Sequence, residues 1–166
     1  MPIWDSAGAI RYMRSVRVRP DRPHRADRSM KTANTILEIA RMTCFYEHGL
    51  GVRDLGVIAY PEALALQHRL VEERRAGIVS DLLLLCGHPA VITRGRGTPS
   101  DEPVPAGIAV VDAERGGELT WHGPGQLVGY PIIDLEPRGR DVRAHLRNVE
   151  EVVIRTLAAF GLTGTS

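Results

Sequence analysis

Between Arg115 and Gln126 the chain reads Arg-Gly-Gly-Glu-Leu-Thr-Trp-His-Gly-Pro-Gly-Gln. One guanidinium, one hydroxyl and one imidazole sit in that stretch among four glycines. Glycine carries no Cβ, so a ligand can press against the backbone and reach its N–H groups. Such a set suits an oxygen that carries or develops negative charge: a carbonyl or thioester oxygen, a carboxylate or a phosphate. In an extended segment alternate side chains share a face, which sets Thr120 and His122 on one side and Trp121 on the other. The residues alone leave a hairpin with flexible loops equally open, and a lone strand histidine is more often a packing residue.

Other groups able to do chemistry are few. Cys44 and Cys86 are the two cysteines, far apart in sequence, and Lys31 is the one lysine. Two cysteines make neither a disulfide framework nor a zinc set, and their scarcity fits a reducing, cytoplasmic setting. A thiol must ionise to attack, and its ordinary pKa of about 8.5 leaves it mostly protonated at neutral pH. Cys86 lies within the apolar run Asp81-Leu-Leu-Leu-Leu-Cys86. A thiol buried there is expected to be inert.

The totals describe an ordinary globular chain. Its 166 residues are 43% hydrophobic, enough for a real core, and the formal net charge is +1. A near-neutral balance gives no global reason to expect nucleic acid or an anionic membrane as partner. The longest apolar runs are too short to cross a bilayer. The basic residues are concentrated: residues 11–28 hold seven arginines against two aspartates. Residues 1 to about 30 are therefore expected to be poorly ordered, with a short helix over 31–46. Met42 is a candidate alternative start. An arginine-rich beginning shares features with a mitochondrial transit peptide, but Asp5, Asp21, Asp27 and the lack of an amphipathic repeat argue against one.

From Val52 the pattern is that of a packed α/β domain holding a mixed sheet flanked by helices. Val57-Ile-Ala59 reads as a short strand. Pro61 and Glu62 suit a first helical turn, Ala59, Ala63, Leu66 and Leu70 recur at helical spacing, and Gly77 can end that helix. The run 81–86 reads as a strand covered on both faces. Further strands are expected at 91–93, 108–111, 119–122 and 127–135, with a loop over 94–105. Val142, Leu146, Val149, Val153, Leu157 and Phe160 predict a last helix, with Asp141 as N-cap and Gly161 past its end.

The order of these segments resembles one family. Val52-Arg-Asp-Leu-Gly, Glu62-Ala-Leu-Ala-Leu-Gln, His88-Pro-Ala-Val-Ile-Thr-Arg-Gly-Arg96 and the stretch from Arg115 through Gly-Tyr-Pro-Ile132 look like octanoyltransferases, which share a fold with biotin and lipoate ligases. The resemblance covers roughly residues 52–161. It implies transfer of an octanoyl group from acyl carrier protein, through a cysteine thioester, to a lysine of a lipoyl domain. Acceptors would be 2-oxoacid dehydrogenase complexes and the glycine cleavage H protein, and no cofactor or metal is expected. It also implies that Arg115, Gly116, Gly117, Glu118, Leu119, Thr120, Trp121 and His122 line the acyl-thioester site.

The family's cysteine, and the lysine that lowers its pKa, match positions beyond Ser166. The expectation is thus an N-terminal portion, residues 51–166, of such a domain behind a 1–50 extension, inactive by itself and prone to low solubility from open sheet edges. Two rivals remain. Arg94-Gly-Arg-Gly97 weakly resembles the Gly-Arg loop of biotin ligases, and a truncated relative could bind acyl chains or lipoyl domains without catalysis.

Overall fold

The computed structural model describes residues 9–11, 14–17, 35 and 49–164. The helix expected over 31–46 falls, apart from Thr35, outside the described residues, as do Lys31 and Cys44.

The elements run β1 (Ala9–Arg11), β2 (Arg14–Arg17), β3 (Gly51–Val57), α1 (Tyr60–Arg75), β4 (Leu82–Gly87), β5 (Val91–Arg94), β6 (Ala109–Asp112), β7 (Leu119–His122), β8 (Gln126–Asp134), a 3-10 turn (Glu136–Arg138) and α2 (Val142–Ala159). They form two mixed sheets. In the larger, β8 lies antiparallel to β4, and β4 lies parallel to β3. In the smaller, β5 sits between parallel β6 and antiparallel β7. Helix α1 makes the crossover that a parallel β3–β4 pair requires.

β4 is the central strand, and its sequence says why. Leu82, Leu84, Leu85 and Cys86 are all buried, as the unbroken apolar run requires of a strand covered on both faces. Leu84 pairs with Tyr130 and Leu82 with Ile132 on β8. With Leu70 and Val71 of α1 and Val128 of β8, these side chains make the main core. Burying a leucine of this kind contributes about 2 kcal/mol.

Helix α1 starts where Pro61 and Glu62 predict and is followed by Gly77 at φ +71°. Ala63 and Leu70 are fully buried on the expected face, joined by Tyr60 and Gln67. Ala59 stands one step outside, as the extended residue preceding the first turn.

Three placements differ from the sequence reading. The strand expected at 57–59 lies earlier, at Gly51–Val57. Asp54 pairs with Leu85 in the ladder, and Gly56, at φ +61°, sits in a register shift between Asp54 and Val57, where the Asp54 carboxylate accepts its N–H at 2.8 Å. The chain then leaves β3 with Ile58 N–H still donating to the Gly87 carbonyl at 3.0 Å. Two segments of the arginine-rich arm, expected without regular structure, add to β8: Ala9 to Arg11 pair with Asp134 to Ile132, and Arg14 to Arg17 with Gly129 to Gln126. A sheet edge offers unpaired backbone groups to any nearby chain, whatever its side chains. The 3-10 turn at 136–138 has no periodicity to announce it.

Helix α2 is capped as expected, Asp141 Oδ1 accepting the Ala144 N–H at 2.8 Å, with Gly161 past its end at φ +74°. Its apolar stripe is only partly covered. Val142 and His145 are buried, Leu146, Val149, Val153 and Leu157 half-buried, and Phe160 is 52% exposed.

The buried His145 ties stability to acid. Burial pushes its pKa down to about 4, the nearby Arg138 adds to the depression, and Asp81 opposes it. A histidine freed by unfolding takes its proton near pH 6.5. Below that pH the unfolded chain binds the extra proton and the folded chain does not, so stability falls with pH over the window from about 6.5 to about 4. His88 and His122 are also pushed down by burial and act in the same direction. We expect the urea midpoint to be lower at pH 5 than at pH 7, by a free energy of about 2 kcal/mol from His145. His145→Gln should shrink that difference, and equal midpoints in the wild type at the two pH values would disprove the linkage.

Candidate active site

The glycine-rich stretch forms the loop into β7, strand β7 itself and the turn into β8. It folds against the segment that leaves the end of β5. Gly95 N–H donates to the Glu118 carbonyl at 3.1 Å, Arg96 N–H to Arg115 at 3.0 Å and Gly97 N–H to Gly117 at 3.0 Å. The Arg94–Gly97 segment therefore zips onto the loop 115–118. This contact demands glycine at position 95, because a Cβ there would overlap the Gly117 carbonyl oxygen and lie 2.8 Å from Arg115 Nη1.

Arg115 is committed within the fold. Its Nη2 donates to the Thr93 carbonyl at 2.9 Å and to Thr93 Oγ1 at 2.8 Å, and its Nη1 to the Gly116 carbonyl at 3.0 Å. Its donors thus anchor the loop to β5. The fully buried Thr93 is the receiving residue, and sequence reasoning did not single it out. Of the other expected site residues, Gly116, Leu119 and Thr120 are half-buried, and Gly117 and Glu118 exposed. Trp121 is 37% exposed on the opposite face from Thr120 and His122, as alternation predicts. Its indole covers the backbone of Gly123, where a Cβ would collide with the ring.

His122, at the end of β7, has no exposed surface. Tertiary folding surrounds it with residues that no local pattern links to it. Tyr60 from the start of α1 lies at a ring-centroid distance of 6.1 Å in stacked orientation, and His88 from the β4–β5 turn at 5.8 Å, edge-on. Tyr60 and His88 are themselves 5.5 Å apart. Tyr130 of β8 completes the group, 6.0 Å from His88.

Hydrogen bonding fixes the proton on each ring. His88 Nδ1 is 2.8 Å from the Ile58 carbonyl, which can only accept, so Nδ1 carries the hydrogen. His88 Nε2 then accepts from the Tyr130 hydroxyl at 2.8 Å, with the Cys86 thiol 3.7 Å away. His122 Nδ1 is 2.6 Å from Gln126 Oε1, whose amide nitrogen in turn donates to the Trp121 carbonyl. That amide orientation again puts the hydrogen on Nδ1. His122 Nε2 is left as a bare acceptor, buried and without a partner.

Burial sets the electrostatics. It is the main cause of the lowered pKa of His122, which the Gln126 bond opposes and His88 and Arg115 reinforce. The same cause lowers His88, against its bond to Ile58, and raises Tyr130 far above the usual phenol range. The cluster at neutral pH is uncharged. Burial, with Asp54 adding to it, pushes the Cys86 thiol up to about 12. A thiol held that far above neutral pH is almost wholly protonated, which disfavours it as a nucleophile.

Sequence reasoning picked out His122 and missed Tyr60, Tyr130 and Gln126 as its companions. His88 and Tyr130 are 42 residues apart and meet only because β4 and β8 pair. Among the described residues, no helix is long and apolar enough to cross a membrane.

Comparison with known proteins gives a consistent result. The family model for the lipoyl protein ligase A/B catalytic domain matches residues 59–166. An octanoyltransferase of Geobacter metallireducens is 50% identical over 111 residues, covering 67% of this chain and 52% of the relative. One from Chloroflexus aurantiacus is 47% identical over 122 residues, 69% of this chain and 55% of the relative. One from Streptomyces coelicolor is 51% identical over 105 residues, 63% of this chain and 39% of the relative. The chain spans about half the length of the first two relatives. The match takes in α1, both zipped loops, the histidine cluster and α2, and with it the mixed α/β fold of biotin and lipoate ligases: the chain belongs to the lipoyl protein ligase A/B catalytic domain family.

Proposed function

We propose that this protein serves octanoyl transfer in lipoate biosynthesis, and that residues 51–166 supply the acyl-thioester-binding part of the site. The donor would be octanoyl-acyl carrier protein, and the acceptors lysines of lipoyl domains and of the glycine cleavage H protein, in the cytoplasm. The observation that carries the reading is the Arg115–Gln126 segment, folded around a buried histidine, in a chain that is about half identical to proteins named octanoyltransferase over two thirds of its length. The rings around His122 are uncharged and pack beside the apolar Val91 and Ala113, and Arg115, the cation near them, is tied to Thr93 and Gly116, which suits a thioester and an alkyl chain. The transferase reading is preferred to a ligase because the named relatives are octanoyltransferases.

The nucleophile is assigned elsewhere. Cys86, buried against β8 with its pKa pushed up to about 12, is disfavoured as the acyl carrier. We propose that residues 51–166 bind the donor and that the acyl-carrying thiol is not Cys86. Titration calorimetry with octanoyl-acyl carrier protein and with the unacylated carrier tests this, paired with intact-mass spectrometry. The octanoyl form should bind at least tenfold more tightly, with no mass gain on the chain. Equal binding of the two forms would count against the reading. A hydroxylamine-labile octanoyl adduct on Cys86 or Cys44 would count against the assignment of the nucleophile.

A further inference from the structure

The far end of the larger sheet carries a cavity that octanoyl transfer leaves unused. It has a volume of about 310 Å³, opens to solvent, and lies where the loop after α1 meets the 3-10 turn. β8 runs from Gln126 at the candidate site to Asp134 at this end, a length of about 27 Å. The cavity wall is of two kinds. Arg74, Ser80, Asp81 and Arg138 are polar, and Ile78 and Pro137 are apolar. Ile78 is 73% exposed, a large apolar side chain that the fold itself does not use.

Arg74 has used one edge of its guanidinium. Its Nε donates to Asp81 Oδ1 at 2.7 Å, and its Nη2 lies 3.5 Å from Asp134 Oδ2. The end-on edge, formed by Nη1 and the second hydrogen of Nη2, has no partner among the described residues. The Asp81 carboxylate is already met by Arg74, by Arg138 Nη2 and by the Asp134 N–H, so its charge is balanced within the wall. Among the side chains that line the cavity, two cations stand against that one carboxylate. The end of α1 adds no open oxygens: the N–H groups of Ala76, Gly77 and Ile78 donate to the carbonyls of Glu72, Arg74 and Glu73.

We infer that this cavity binds a small monocarboxylate with a short apolar tail. Two carboxylate oxygens match the two N–H groups of the open Arg74 edge, a bidentate and charge-assisted pairing. The hydroxyl of the exposed Ser80 is a further donor in the wall, and the tail lies over Ile78 and Pro137. A phosphate would set a second negative charge against Asp81 and Asp134, and an alcohol would leave the Arg74 edge unfilled. The site is separate from the one read for octanoyl transfer, so either assignment can fail without the other.

The test titrates the ¹⁵N-labelled chain with hexanoate, acetate and hexanol at neutral pH and follows the backbone amide resonances. Hexanoate should shift residues 77–81 and 138 saturably. Acetate should give the same pattern about tenfold more weakly, the worth of about two buried methylene groups. Hexanol should leave these residues in place. No saturable shift at 77–81, shifts confined to 115–122, or an equal response to hexanol would each overturn the inference. Equal affinities for hexanoate and acetate would remove the apolar contact from it. Arg74→Lys keeps a cation for Asp81 but has no second edge, and should lose hexanoate binding. Undiminished binding by that variant would show that the guanidinium is not the contact. Ile78→Ala, at an exposed position, decides the matter even where Arg74→Lys lowers the melting temperature. It should melt as the wild type does and bind hexanoate as weakly as acetate, and wild-type affinity in Ile78→Ala would count against the site.

Discussion

Replacing Asp81 with alanine is expected to lower stability by about 3 kcal/mol, a fall in melting temperature of about 6–12 °C. Asp81 is buried at the start of β4 and ties together four parts of the fold. Its carboxylate accepts from Arg74 Nε of α1 at 2.7 Å, from Arg138 Nη2 of the 3-10 turn at 2.9 Å, and from the Asp134 N–H at the end of β8 at 3.0 Å. Removing it leaves two guanidiniums facing each other and a backbone N–H without its acceptor. Both arginines keep about a quarter of their side-chain surface in water, at 22% and 24%, which holds the cost to the lower end of the range for a buried pair. Asp81→Asn retains an oxygen for the Asp134 N–H and should cost clearly less. Thermal melts of the two variants beside the wild type decide the matter, and an Asp81→Ala melt within 2 °C of wild type would falsify the account of this junction.

Gly95→Ala should be almost as damaging, at about 2–4 kcal/mol, although it adds a single methyl group. The new carbon would meet the Gly117 carbonyl, and a backbone oxygen cannot swing aside as the end of a side chain can. Relief requires parting the 95–97 segment from the 115–118 loop and losing the three N–H to carbonyl bonds between them. Gly97→Ala supplies the graded control, since its Cβ would stand 3.1 Å from the same oxygen, tight but accommodated by a small shift. Amide hydrogen exchange should rise sharply at residues 95–97 in Gly95→Ala and only slightly in Gly97→Ala. Equal protection in the two variants would mean that the zipped loops do not depend on this contact.

Much of the fold follows from local pattern. The apolar run at 81–86 became the central strand, and Leu119 to His122 became β7 at the expected bounds. Pro61 began α1, and Asp141 capped α2. In these places one physical effect dominates: an unbroken apolar run has to be covered, a proline has no N–H to lose, and a carboxylate satisfies a free helix donor. Where effects compete, local pattern misled. Asp54 and Gly56 have turn chemistry, which appears as a register shift inside β3 rather than as an end to the strand. The arginines of the N-terminal arm hid two segments whose backbones pair with β8.

The site divides in the same way. Local order along the chain was enough for the resemblance, the glycine-rich segment and the shared face of Thr120 and His122, because strand alternation and glycine content are properties of neighbours in sequence. What those residues meet was settled by folding. It turned Arg115 toward Thr93, set Tyr60, His88 and Tyr130 around His122, and gave His122 the tautomer that leaves Nε2 bare. Those outcomes depend on contacts between strands distant in sequence. A proton on one imidazole nitrogen rather than the other is set by the partner it finds there.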